Sequence, residues 1–501
     1  MYNISKIISD TAKFKGNNDA FNFNSKSYTF NDLLILSQVN KIKIQKYTKG
    51  SIGIYCYSSK NFIISLYACW FSGSKPFLIS GNIKEFEVES LCEQFDICTL
   101  ITDISHNHLQ NINKINPTTE VDYGYPVDYE NYVNIKSNDI AFYLMTSGTT
   151  GKRRSVPITQ KNLIWTGKKF NDFMGISENE KELVLVPLTH SFGVRRIVAQ
   201  LLLGGCVFSL DGMFNPAEAL ICIKNNDCTV LSLVPSQVRI FQQYFYDEFE
   251  SIGRSIRFIE LSSEYMSPSE KEYLMQIMPN AQIIMGYGLT EATRSALLHF
   301  QKNLNKINTS GKPIDGVEIL IIDGDGINNE GKIAIRGPNV VSYYVGDNIA
   351  ENNNFINDYF LTGDYGHIDN DGFLTVIGRV DDMINVGGNK FNPIEIESSL
   401  REEFPGIDCA IDYIPDKILG SRPVLCIGSK KKFNYDSILN YIGDSFEFFK
   451  HPCKVFFLDE IYRTENGKIR RSNLHEDILK INSKEQWIFY VFMLNKIQGS
   501  R

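Results

Sequence analysis

The chain predicts an α/β and α+β fold. A large N-terminal domain of parallel β-sheets covered by helices carries a small β-barrel-like part, and a small C-terminal α+β domain follows. Three features predict it. Short apolar runs alternate with helical patterns through the first 300 residues, as parallel strands joined by covering helices do. From about residue 317 the strands become short and are broken by Gly, Asn and Asp, which reads as antiparallel hairpins. After Asp381 a compact piece with helix, two strands and helix closes the chain. A length of 501 residues suffices for two or more domains and a large core.

In order along the chain, "GSIGIYCY" (51–58) is a buried strand after a glycine turn, "NFIISLYACWFSG" (61–73) a helix and "KPFLIS" a strand. "IAFYLM" is a strand feeding the loop that follows it, and "TQKNLIWTGKKF" a helix leaving that loop. "LVLVPL" (183–188), "TVLSLVP" (229–235), "IRFIELSS" (256–263) and "AQIIMGYG" (281–288) are further strands, with helices such as "VRRIVAQLLLGG" and "PSEKEYLMQIMP" between them. "VEILIIDG", "GKIAIRGP" and "GHIDNDGFLTVIGR" supply the hairpins. "EIESSLREEF" and "YDSILNYIGDSF" are the helices of the last piece, "DCAIDYIP" and "PVLCIGS" its strands. "WIFYVFML", Trp487 to Leu494, is too short to span a bilayer and packs on the last domain; a subunit contact or a membrane-surface anchor are its alternatives.

Composition narrows the class. Hydrophobic residues at 43% and charged residues at 22% suit a soluble globular protein. A net charge of -7 offers no general basic footprint for nucleic acid. No apolar run reaches the roughly 18 to 20 residues of a transmembrane helix, and the N-terminus lacks the apolar core and cleavage site of a signal peptide. The ten cysteines are scattered without a C-x-x-C pair, so reduced thiols in the cytoplasm are expected.

The chemistry concentrates first in "MTSGTTGKRRSV", Met145 to Val156. Its hydroxyls, glycines and cations suit an anion: glycine lets backbone N–H groups approach closely, and successive N–H groups ring a phosphate. The Walker A pattern fails, because Gly148 is followed five places later by Arg153. Five more motifs follow in order: "PLTHSFG" (187–193), "GYGLTEAT" (286–293), "LTGDYGHIDNDGF" (361–373), "GRVDDMINVGGNKFNPIEIE" (378–397) and "RTENGKIRR" (463–471). The set, spanning 144 to 471, resembles the adenylate-forming superfamily of acyl- and aryl-CoA synthetases, peptide-synthetase adenylation domains and luciferases, and in motif style the acyl-CoA synthetases most.

That resemblance implies ATP-dependent activation of a carboxylic acid to an acyl-adenylate with loss of pyrophosphate, then transfer to the thiol of CoA. Loading of a carrier-protein phosphopantetheine is the alternative acceptor. It implies that Thr146, Ser147, Gly148, Thr149, Thr150 and Gly151, with Lys152 and Arg154, embrace the β- and γ-phosphates of ATP. The usual Pro-Lys-Gly after Lys152 is here Arg153, Arg154 and Ser155, which keeps the charge and changes the loop's path. Thr290 takes the place of the α-phosphate contact, and Glu291 that of the carboxylate associated with Mg²⁺, a hard oxygen ligand for a hard cation. Gly286, Tyr287 and Gly288 lie along the adenine, and Ser262, Ser263 and Glu264 stand at the adenine-contact segment without its usual Gly-Ala content. Asp364 and Arg379 fall on the ribose, a carboxylate being able to accept two hydroxyls at once.

By the same resemblance Asp381 is the hinge between domains 1–380 and 381–501, and the small domain is mobile about it. Lys468 is the catalytic lysine of adenylation, with Tyr462 where proline is common. Gly387 and Gly388 face the site in the second step, and Lys390 reaches the phosphates of the thiol cofactor. His190 gates the acyl pocket, whose wall comes from Phe192, Gly193, Val194, Ser236, Gln237 and the segment around Leu289. "HSFG" stands where amino-acid-activating relatives place an Asp for the substrate ammonium, which favours an uncharged acyl or aryl carboxylate. Arg195 and Arg196 read as a solvated helix face, with a second substrate carboxylate as the alternative partner.

Overall fold

The computed structural model describes residues 2–483 apart from 24–25, 48–49, 106–108, 110, 147–153, 213, 323–329, 347–353, 429–433 and 464–468. Two large mixed sheets build the N-terminal part. One has six strands, in the order Asn113–Ile115, Ile97–Thr102, Ser51–Cys56, Phe77–Ser80, Ile140–Thr146, Arg154–Thr159, and all neighbours are parallel except the last pair. The other has nine: Lys312–Pro313, Ala296–His299, Gln282–Tyr287, Phe258–Ser262, Val230–Leu233, Lys181–Val184, Cys206–Ser209, Asp19–Phe23, Lys26–Thr29. Its middle, from Gln282–Tyr287 to Asp19–Phe23, is parallel and its edges are antiparallel.

The parallel strands are covered on both faces, which is why they read as unbroken apolar runs. Covering helices use ordinary local signals. Helix Gln160–Met174 starts at Thr159, whose hydroxyl caps it in a capping box with Asn162, and ends at Gly175 with a left-handed φ of 76°. It packs on helix Ser191–Leu203 where Gly167 faces Ala199; a Cβ at Gly167 would stand 3.0 Å from the Ala199 Cβ.

One expectation fails here. The helix does not leave the Ser/Thr/Gly loop. Strand Arg154–Thr159 intervenes, folded back antiparallel on Ile140–Thr146 with Thr146 opposite Arg154. The segment thus links two antiparallel strands, and the helix begins only after Thr159. Residues 154–159, "RSVPIT", alternate too little to announce a strand, and proline is excluded from central strands; as the sheet's edge strand this one tolerates Pro157.

The third sheet is antiparallel, as the Gly, Asn and Asp punctuation predicts: Glu318–Ile322, Gly331–Arg336, Tyr359–Ile368 and Phe355–Ile356 in order, with Leu374–Arg379 also on the long strand. A fourth sheet joins Asn389–Phe391, Ile384–Val386, Gly420–Gly428, Cys409–Asp416 and Val455–Leu458, with helices Pro393–Glu403, Tyr435–Ser445 and Arg471–Ser483. Two apolar clusters, one around Ile396, Ile411 and Ile438 and one around Val424, Phe456 and Leu474, belong to this part, and their described members all follow Asp381. All ten cysteines are free thiols. Among the described residues no helix is long and apolar enough to cross a membrane. Trp487 to Leu494 lies outside the described residues.

Candidate active site

Strand Gln282–Tyr287 ends in a tight reversal at Gly288 to Ala292. Leu289 N–H donates to the Ala292 carbonyl at 3.1 Å, Ala292 N–H returns the bond at 3.2 Å, and Ser295 N–H reaches the Tyr287 carbonyl at 2.8 Å. Glycine is required at 288: a Cβ there would stand 2.6 Å from Arg294 N and 2.7 Å from the Ala292 carbonyl oxygen. Arg294, on the return, has a φ of 49°. This reversal holds Thr290 and Glu291, both half-buried, at the C-terminal end of a parallel strand, where ligands of such sheets bind.

A second segment ties the reversal to the hairpin. Val341 N–H donates to the Glu291 carbonyl at 2.9 Å, Val340 bridges Ala292, and Val345 exchanges backbone bonds of 3.2 and 2.8 Å with Ser155. Tyr344, within that segment, donates its hydroxyl to Glu291 Oε1 at 2.8 Å, and the Arg154 guanidinium stands 5.3 Å over its ring. Burial raises the Glu291 carboxyl above its ordinary value and the Tyr344 hydroxyl well above its own. The cation retained in the altered loop and the carboxylate of the Thr-Glu pair thus meet through one tyrosine that sequence reasoning missed; "VSYYVG" carries no spacing that singles it out.

The ribose candidates also converge. Asp364 and Arg379 are register partners on adjacent antiparallel strands. Tyr287 donates its hydroxyl to Asp364 Oδ2 at 2.7 Å, and Arg379 Nη1 lies 3.6 Å from Asp364 Oδ1 while donating to the Thr362 carbonyl at 3.2 Å. Burial, then the Asp364 charge, pushes the Tyr287 hydroxyl up, so it stays a donor and fixes the carboxylate. Tyr287, expected along the adenine, is thereby also a clamp on Asp364.

Between His190 and Thr290 lies a cavity of about 150 Å³. His190, Ser191 and Phe192 line one side and Gly288, Leu289 and Thr290 another; Ser262, Ser263, Glu260, Thr293 and Arg294 complete it. Ser263 has a φ of 79°, a costly conformation for a residue with a Cβ, at the point where strand Phe258–Ser262 opens into the cavity. His190 is the N-cap of helix Ser191–Leu203, so the helix start aims its first turn at the same space. Glu264 does not join. Its carboxylate accepts from Ser236 N and Oγ at 3.1 and 2.7 Å and pairs with Arg239 at 3.1 Å, capping helix Pro235–Tyr244. Of the expected wall, Val194 is core, and Gln237 is spent on Leu185 and Val234.

The two arginines of "SFGVRR" are corrected outright: Arg195 and Arg196 are 1% and 0% exposed, not a solvated face. Arg196 forks onto Glu182 at 2.7 and 2.5 Å and bonds Asn171 at 3.0 Å. Arg294 forks onto Glu260 at 2.7 and 3.1 Å. A glutamate inside an apolar strand, as in "KELVLV" and "RFIELS", was the available signal, since a buried carboxylate demands a buried cation.

Several candidates stand elsewhere. Asp381 is an exposed turn residue between strands Leu374–Arg379 and Ile384–Val386. Gly387 and Gly388, with φ of 60° and 94°, are the two-residue turn joining Ile384–Val386 to Asn389–Phe391, which itself demands glycine. The backbone of Lys390 is in that second strand; its side chain, and that of Thr146, lie outside the described residues, as do Ser147, Gly148, Thr149, Thr150, Gly151, Lys152 and Lys468 entirely.

Residues 9–345 match the family described as AMP-binding enzyme. The 2-succinylbenzoate–CoA ligase of Staphylococcus aureus (strain MRSA252) is 27% identical over 493 residues, covering 93% of this chain and 98% of that protein. The o-succinylbenzoate CoA synthetase of Bacillus subtilis, solved with its acyl-adenylate intermediate, matches with a TM-score of 0.82 at 25% identity over 94% of this chain and 97% of that one. The same synthetase solved with ATP and a magnesium ion matches with a TM-score of 0.82 at 24% identity, over 94% and 99%.

Proposed function

The chain belongs to the AMP-binding enzyme family, and from that premise we propose that it is an AMP-forming carboxylate–CoA ligase. The observation that carries the reading is the convergence of Glu291, Tyr344 and Arg154 within charge range of the clamped Asp364, with Thr290, next to Glu291, lining a cavity. In the first step a carboxylate oxygen forms a bond to the α-phosphorus of ATP and pyrophosphate leaves. In the second, a thiol sulfur attacks the acyl carbon and AMP leaves. Anions meet in the first step, so charge neutralisation and alignment dominate it.

We assign the ribose hydroxyls to Asp364, held ready by Tyr287 and Arg379, and the α-phosphate to Thr290. Arg154, at the root of the hairpin, supplies positive charge toward the outer phosphates, together with the loop of Ser147 to Lys152. The donor set fits Mg²⁺: Glu291 offers a partly buried carboxylate oriented by Tyr344, a hard oxygen ligand that would hold the ion beside the phosphates. When bound, the ion neutralises phosphate charge. His190 and Phe192 flank the acyl group. Lys468 bridges carboxylate and phosphate in the first step.

The acceptor is CoA, supported by a CoA ligase as a relative over 98% of its length. We place the domain boundary at Asp381, dividing 1–380 from 381–501, because apolar clusters form separately beyond it. The assigned compartment is the cytoplasm, where ten free thiols stay reduced. The test is carboxylate-dependent release of pyrophosphate from ATP, over short, long and aromatic acids and amino acids, each with and without CoA. Release with one acid, sped by CoA into a thioester, is expected. Release that CoA leaves unchanged assigns the acyl group to a carrier-protein thiol, and none with any acid overturns the reading.

A further inference from the structure

Three guanidiniums, Arg195, Arg196 and Arg294, are buried together with two carboxylates, Glu182 and Glu260, all five at most 5% exposed; of these, Arg294 and Glu260 line the acyl cavity. The carboxylates are taken. Glu182 is forked by Arg196 and also accepts from Ser232 at 2.7 Å, while Glu260 is forked by Arg294 and approached by Arg196 at 3.3 Å. Arg195 is left over. Its Nε donates to Ser191 Oγ at 3.0 Å, and both Nη atoms are buried without a partner, as is Nη1 of Arg294.

A buried cation without a counter-charge is costly, and buried polar groups without partners are rare enough to need a cause. Burial and the neighbouring Arg294 charge push the Arg195 guanidinium down to about 9, which still leaves it cationic at neutral pH. Its surroundings say where the missing anion belongs. Ser191, one helical turn away, and Arg294, the charge set against it, both line the cavity. The unpartnered Nη pair, covered in this structure, is the planar fork that a carboxylate matches, and the side chain must turn toward the cavity to use it. The reacting carboxylate has its place at Thr290, so an anion at Arg195 is a different group of the same substrate.

We propose that Arg195, seconded by Nη1 of Arg294, receives a second carboxylate, and that the acid activated here is a dicarboxylic acid. The inference rests on the ligase reading and replaces the uncharged acyl group expected from "HSFG".

The test compares matched pairs, succinate with butyrate, glutarate with valerate, phthalate with benzoate, by pyrophosphate release in wild type, Arg195→Met and Arg195→Lys. In at least one pair the wild type prefers the diacid in kcat/KM. Arg195→Met lowers that preference about 100-fold, the scale of a buried charge-assisted fork, and Arg195→Lys retains part of it. Methionine replaces a buried charge with an apolar chain of similar length, a change that folds tolerate well; the lysine variant keeps the comparison if it does not. Preference for the monoacid in every pair, or an unchanged ratio in both variants, overturns the inference while leaving the ligase. Silence with all six acids and with the wider panel overturns both.

Discussion

Asp364 accepts a phenol hydroxyl from one element and faces a guanidinium from another, so its carboxylate is held in one orientation. Replacing it with alanine removes the acceptor we propose for the ribose and takes from Tyr287 its carboxylate partner. We expect Asp364→Ala to raise the KM for ATP about 10- to 100-fold, the range for hydrogen bonds to a charged group, with little change in the KM for the carboxylate. Steady-state kinetics varying each substrate in turn checks this, and equal effects on both would remove Asp364 from the ribose. At this scale the sequence was legible where a residue sat inside a motif: His190, Gly288 and Thr290 line one cavity, and Asp364 and Arg379 stand within charge range of Glu291. It was illegible where the partner comes from far away. Tyr344 and the Arg195 environment depend on contacts across strands and helices, and Glu264, adjacent to the right segment, turns its carboxylate toward Ser236 instead.

Among elements, the reversal at Gly288 and the segment 340–345 do the positioning. The reversal closes only because residue 288 has no Cβ, and the segment fastens it to the hairpin through backbone bonds at Glu291 and Ser155. Gly288→Ala forces the Arg294 amide and the Ala292 carbonyl apart. Overpacking of this kind costs about 1–3 kcal/mol, so thermal denaturation should show a lower Tm. The kcat/KM for ATP should fall at least tenfold (an estimate from displaced catalytic groups) because Thr290 and Glu291 move with the turn. An alanine variant with wild-type Tm and kinetics would show that the reversal is not what positions them. Element types were legible from apolar runs and turn residues. The hairpin was not, because strand Arg154–Thr159 is a proline-bearing edge whose pairing is decided by the sheet rather than by its own pattern.

For the molecule as a whole, we propose a division of labour between a large part that holds nucleotide and acid and a small part, beyond Asp381, that serves both steps. Asp381 lies in an exposed turn between the two, and the apolar clusters beyond it are built from their own residues. The motif order from 144 to 471 is what points to this division in the sequence, each motif being expected to supply one job in one reaction. The acyl specificity we propose was not legible, because it rests on the balance of buried charges among Arg195, Arg196, Arg294, Glu182 and Glu260, which no linear pattern reports.

The central claim is that one site performs two separable steps, with Lys468 serving the first alone. The measurement is the rate of each half-reaction in wild type and Lys468→Ala: acyl-adenylate formation from ATP and acid, and thioester formation from pre-made acyl-adenylate and CoA. The account predicts that adenylation falls by roughly two to three orders of magnitude, the scale of losing one strong electrostatic donor, while thioester formation proceeds near the wild-type rate. Equal loss in both half-reactions would contradict it.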